Sequence, residues 1–229
     1  MAERAIERDP GAVLGVGRFR VGETSVLHPF SEADRARDAR SCEGLLDLAG
    51  VARGDAVLIV SLLSEAAAYW PLLGACVARG AILSCADATP FDASRVRMFC
   101  RQLGLRAVLG LHPATLAGLR DLGADPAQVF REVPVLAARP GAREELRAAG
   151  LEPRLWLELG PALALECAPG SGAHLDPELW EVEASAGELR ITSRGPRLTP
   201  LARQGTGLRG RVASGPCPCG RPGPRVTPD

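Results

Sequence analysis

GPCPCGRPGPRV, residues 215–226, sets two cysteines on either side of one proline and follows them directly with glycine. Thiols two residues apart make a poor disulfide with each other, yet both can turn toward one metal ion. Pro218 fixes φ between them, and Gly220 lets the backbone curl behind them. A structural zinc site takes four ligands, usually thiolates and imidazoles. Two more are available upstream in ECAPGSGAH, where Cys167 and His174 flank a glycine-rich loop. The set is then Cys167, His174, Cys217 and Cys219, a C-x6-H followed by C-x-C. The other histidines, His28 and His112, have no cysteine near them in sequence. The residues alone leave a second reading open, with Cys167 a core thiol, His174 a surface residue and Cys-Pro-Cys part of an ordinary loop.

The rest of the chain bounds what such a site can serve. Of 229 residues, 46% are apolar and 24% charged, enough for a folded chain with a real core. The 27 basic and 27 acidic side chains cancel, which argues against a nucleic-acid or anionic-membrane surface. Every basic residue is arginine. Without a lysine, Schiff-base or lysine general-base chemistry is excluded for these residues. The start, MAERAIERDPGAVLGVG, mixes charges of both signs and has no apolar run fit for a signal peptide. No stretch approaches the length of a membrane span. Seven cysteines, an odd number, then suggest a cytoplasmic chain with reduced thiols. Cys42, Cys76, Cys85 and Cys100 read as buried core thiols. The glycines of GAVLGVG (11–17) follow no strand, so they do not make a dinucleotide loop.

Residues 1–150 alternate helix and strand. Ser31 is a plausible N-cap, with Asp34 three residues on, for a helix to about Leu48 that Gly50 ends. AVLIV (56–60), AILSC (81–85) and RAVLG (106–110) read as buried strands. Between them lie helices over 65–79, closed by Gly80, and over 92–103. Pro71 must sit in a first turn or kink its helix. Pro113 and Asp125-Pro126 start further helices. This is the pattern of a parallel sheet with flanking helices. From 151 to 229 the texture changes to short strands (LWLEL, ALALEC, WEVEA, GELRITS) between Pro/Gly/Ser loops, which suggests a small, mostly β, zinc-stapled subdomain. The final VTPD reads as a frayed end.

The same motifs resemble those of phenylacetate-CoA ligases, in the adenylate-forming (AMP-binding) superfamily. LGPALALECAPGSGAHL (159–175) is similar to their Gly-Pro, Glu-Cys, loop, Gly-x-His stretch. TPLARQGTG (199–207) resembles their Pro-Leu-x-Arg-Tyr-x-Thr-Gly-Asp segment, and residues 215–226 their Cys-x-Cys-Gly-Arg-x-x-Pro-Arg segment. SEADRARDARSCEGLLDLAGVARGDAVLIV looks like the helix and strand after their phosphate loop. The order holds from about residue 20 to 226, and some members hold zinc at the matching Cys, His and Cys-x-Cys positions.

The resemblance implies a chemistry and then withdraws it. Such ligases join a carboxylate to AMP and pass the acyl group to coenzyme A. They need a phosphate loop, a magnesium-binding glutamate, a ribose-binding aspartate and a lysine from a C-terminal lobe. Here Gly22-Glu23-Thr24-Ser25 is a poor remnant of the phosphate loop. The glutamate position aligns with Leu157, and Glu158, one residue out of phase, is expected on the opposite side of its strand. The aspartate position aligns with Leu208. The C-terminal lobe is expected to be absent, with its lysine. The implied protein is therefore a non-catalytic or diverged ligase relative with structural zinc, using neither ATP nor coenzyme A. It would bind an acyl or aryl carboxylate or thioester, or a protein partner, or pair as a homodimer. Its pocket is expected near Trp156, Glu158, Gly160, Pro161, Arg203 and Thr206. The alternative is an acyl-transfer or ligase-type enzyme completed by a second chain.

Overall fold

The computed structural model describes residues 12–168 and 170–229; the reading of residues 1–11 as free of a signal segment lies outside them. The chain opens on an antiparallel hairpin, β1 (Gly15–Val21) and β2 (Thr24–Phe30). Gly22, at φ +58°, takes the left-handed position of its turn. The segment read as a phosphate-loop remnant is thus the tip of a hairpin.

Ser31 caps α1 (Glu32–Leu48) with a complete capping box: its side chain accepts from the Asp34 N–H, and the Asp34 carboxylate accepts from the Ser31 N–H. The strands β3 (Ala56–Ser61), β4 (Ile82–Asp87), β5 (Leu105–Leu111), β6 (Val135–Ala138) and β7 (Arg154–Leu159) pair in parallel in the order β4-β3-β5-β6-β7. They alternate with α2 (Ala66–Arg79), α3 (Ala93–Gln102), α4 (Pro113–Asp121), α5 (Pro126–Phe130) and α6 (Pro140–Ala148). Pro71 sits inside α2, beyond its first turn. Side-chain alternation along the strands builds two cores. Val57 and Ile59 pack with α1 and α2, whereas Leu58 and Val60 pack with α3, α4 and α6. The expectation of a helix-flanked parallel sheet holds.

The sheet does not stop at residue 150. β7 pairs in parallel with β6 on one side and antiparallel with β8 (Ala162–Glu166) on the other. From β8 it continues through β9 (Ala173–His174), β13 (Arg225–Pro228), β12 (Gln204–Ala213), β11 (Glu188–Ser193) and β10 (Trp180–Ser185), eleven strands in all among the described residues. The terminal VTPD, expected to fray, is mostly strand: Val226 pairs with both Val212 and Ala173 and is fully buried. A third core, with Leu157, Trp180, Leu189 and Ile191, supports this half.

A charged clamp ties α1 to the β-rich half. Arg197, its side chain 2% exposed, forms two hydrogen bonds with Asp38 of α1 (2.6 and 2.9 Å). Its guanidinium also stacks 3.9 Å from the Trp180 ring centroid. Of the four single cysteines, Cys42 and Cys76 are buried as expected, but Cys100 is half-buried and Cys85 is exposed. Cys85 lies on β4, the edge strand of the sheet. Among the described residues, no helix is long and apolar enough to cross a membrane.

Candidate metal centre and ligand crevice

Three neighbouring strands gather the cysteines and the histidine. Cys167 follows β8 directly, His174 is in β9 opposite Leu165 and Arg225, and Cys217 and Cys219 lie in the β12–β13 connection. All four ligand atoms lie within 4.8 Å of one another. Cys167 Sγ is 3.5 Å from Cys217 Sγ, and Cys219 Sγ is 3.4 Å from His174 Nε2. A tetrahedral ion with sulfur at ~2.3 Å and nitrogen at ~2.0 Å needs ligand separations of roughly 3.5–3.8 Å, so the donor set fits a metal of zinc's size.

Local chemistry shapes this cluster. The Glu166 carboxylate accepts the N–H of Gly170 at 2.8 Å and of Leu155 at 2.9 Å, pinning the loop between two ligands to β7. Arg143, 2.9 Å away, balances its charge. Gly220, at φ +77°, turns the chain behind Cys219, and its N–H donates to the Cys217 carbonyl. Burial, with help from Arg225 and Arg221, lowers the His174 pKa and keeps the ring neutral, as a ligand must be. Cys217 is held down to about 7, chiefly by the Cys219 backbone N–H.

A separate crevice of about 430 Å³ opens between the two halves, with the β1–β2 hairpin across it. Arg18, Phe19 and Arg20 come from the hairpin; Leu62, Glu65, His112 and Arg139 line the α/β side; Glu158, Gly160, Pro161, Thr206 and Leu208 line the β side. Four of the six residues expected here are therefore in its wall. Trp156 lies beneath it, fully buried, its Nε1–H donating to Tyr69 Oη at 3.1 Å. Arg203 is elsewhere: it is on the surface, paired with Glu183 at 2.9 Å. Thr206 spends its hydroxyl on the Leu189 carbonyl at 2.8 Å.

Glu158 and Leu157 face opposite sides of β7, as strand alternation implies. Leu157 points into the core of the β half, so Glu158, on the other face of β7, reaches the crevice. There it joins a network that sequence reasoning missed. Arg139 Nη2 is 2.8 Å from Glu158 Oε1 and 3.3 Å from Tyr69 Oη, and the guanidinium binds both oxygens of Glu65 at 2.9 and 3.0 Å. Tyr69 donates to Glu158 Oε1. Burial is the main cause that pushes the Glu158 carboxyl up to about 7, with Glu65 adding repulsion against the pull of Arg139. Gly110, at φ +82°, makes room for the network: a Cβ there would meet Val60 O at 2.6 Å and Tyr69 Oη at 2.7 Å.

The fold matches the N-terminal domain of adenylate-forming acyl-CoA ligases. The sequence matches no protein-family model, and no curated protein matches it. Similar solved structures include 2-hydroxyisobutyryl-CoA ligase in an open conformation with 2-HIB-AMP and CoA, at 16% identity and TM-score 0.73, covering 96% of this chain and 57% of that one. Malonyl-CoA ligase with methylmalonyl-CoA and AMP is similar at 15% identity and TM-score 0.59, covering 96% of this chain and 53% of that one. This chain thus spans little more than half the length of these ligases.

Proposed function

We propose that the protein is a diverged, non-catalytic relative of the phenylacetate-CoA ligases that keeps their scaffold and a zinc staple and binds an acyl or aryl carboxylate or thioester in its crevice. The observation that supports this most is Leu208. It lines the crevice at the position where the resemblance implies a ribose-binding aspartate, and apolar surface replaces a hydroxyl acceptor there. Nearby, the arginine and tyrosine of the crevice floor are already bonded to one another and to carboxylates. The volume suits a small acid.

Zinc, bound by Cys167, His174, Cys217 and Cys219, would cross-link the β8–β9 loop to the β12–β13 loop. Four protein ligands leave no open position, so the ion's contribution is structural. Direct binding tests the reading: phenylacetate should bind the zinc-loaded protein equally well with and without ATP. An absolute requirement for ATP would contradict it.

We also propose a cytoplasmic protein that works as a homodimer or beside an acyl-handling enzyme. Phe91 and Leu63, 94% and 85% exposed, follow the adjacent strands β4 and β3, and Ile82 is exposed on the sheet edge itself. Light scattering at micromolar concentration should give a mass above one chain; a lone chain that co-purifies with nothing would end the partner proposal.

A further inference from the structure

Resting on the reading of the crevice as an acid-binding site, the inference concerns how the acid's charged end is held. The floor has few polar atoms left to offer. Arg139 donates to Gly110 O, both Glu65 oxygens and Tyr69 Oη, and its Nη2 lies 2.8 Å from Glu158 Oε1. Glu65 Oε2 also accepts the Leu62 N–H. Tyr69 Oη has donors in Arg139 and Trp156 and an acceptor in Glu158. Two atoms remain. Glu158 Oε2 has no hydrogen-bond partner among the described residues, and a fifth of its side chain is open. His112 Nδ1 accepts the Ala114 N–H at 3.0 Å as the N-cap of α4, so the ring proton of the neutral imidazole is on Nε2. Nε2 has no partner among the described residues either.

We propose that protonated Glu158 and His112 form a two-donor receptor for the carboxylate end of the ligand. Oε1 already accepts from Tyr69 and lies 2.8 Å from Arg139 Nη2, so the proton sits on Oε2 and is donated to one ligand oxygen. His112 Nε2–H donates to the other. The surroundings agree in sign. The charged groups facing Glu158 are Arg139 and Glu65 on the floor and Arg18 and Arg20 on the hairpin. Three arginines against one glutamate and a neutral Glu158 leave the wall positive, which favours an anion. Burial and Arg139 lower the His112 pKa, which favours the neutral ring. A carboxyl at about 7 in the free protein can be recruited as a donor near neutral pH. Apolar surface for the ligand's tail comes from Phe19, Leu62, Pro161 and Leu208.

The consequence is proton uptake on binding. An ionised acid that binds only the protonated form should bind ~10-fold more weakly at pH 8 than at pH 6. It should take up close to one proton at pH 8 and about a tenth of one at pH 6. Titration calorimetry with phenylacetate and hexanoate, in two buffers of different ionisation enthalpy, reads both quantities on the zinc-loaded protein. Glu158→Gln keeps a donor at this place permanently and should hold its affinity within about twofold across that range. Binding without proton uptake, or affinity that rises with pH, overturns the receptor and leaves the acid-binding reading standing. No binding of either acid at any pH overturns both.

Discussion

Replacing Glu158 by glutamine changes the charge of the crevice floor with little change of shape. The amide oxygen can accept the Tyr69 hydroxyl and stay beside Arg139 as Oε1 now does, and the amide nitrogen replaces Oε2. What disappears is a carboxyl that costs stability when ionised. Its pKa is about 7 in the folded chain against an ordinary 4.5, so the folded state binds the proton more tightly. Stability contributed by that proton is complete below about pH 4.5, falls as pH rises toward 7 and is level above it. The difference between the two values, at ~1.4 kcal/mol per pH unit, is about 3 kcal/mol, reduced to about 2–3 kcal/mol by the open fifth of the side chain. Urea unfolding of both proteins at intervals from pH 4 to 8 tests this. The variant should match the parent at low pH and exceed it progressively up to about pH 7. Parallel curves over the whole range would refute the argument that Glu158 is held protonated by burial.

Other substitutions report on other parts of the structure. Cys217→Ser should lower the bound zinc from one per chain toward zero and cut soluble yield, because structural zinc can contribute on the order of 10 kcal/mol to folding; elemental analysis of both proteins reads it. Arg197→Lys should cost about 2–4 kcal/mol in denaturant unfolding, since lysine can reproduce neither the paired bonds to Asp38 nor the stack on Trp180; a loss under 0.5 kcal/mol would make the clamp incidental. Gly110→Ala should cost more than about 1 kcal/mol, because its left-handed φ and the Val60 carbonyl both oppose a Cβ; tyrosine fluorescence would follow any displacement of Tyr69.

The features legible in the sequence are those whose physics is local. The capping box of Ser31 and Asp34 is contained in four residues, and α1 begins where it stands. Gly80 and the prolines at helix starts work the same way. The cysteine cluster was readable because ligand spacing constrains a metal loop whatever the fold around it. Pairing across long distances was not legible. VTPD contains a proline and ends in aspartate, and only its partners β12 and β9 make it a strand. Strand alternation put Glu158 opposite Leu157, but which of those faces is core and which is crevice is decided by the Leu157 and Trp156 packing on opposite faces of β7. Arg139, Tyr69 and Glu65 carry no mark in the sequence: Arg139, at the start of α6, meets the other two, at the start of α2, only when both helices pack on the sheet.

The proposal that this chain carries out no adenylation is tested most directly by ATP–pyrophosphate exchange. The zinc-loaded protein, with magnesium, ATP and saturating phenylacetate or hexanoate, should give exchange no faster than a reaction without protein. Leu208, at the position where the resemblance implies a ribose-binding aspartate, would remove stabilisation that typically counts for orders of magnitude in rate. Exchange clearly above that background, dependent on the acid and lost on mutation of the crevice, would contradict the account and establish the chain as a working acid-activating enzyme.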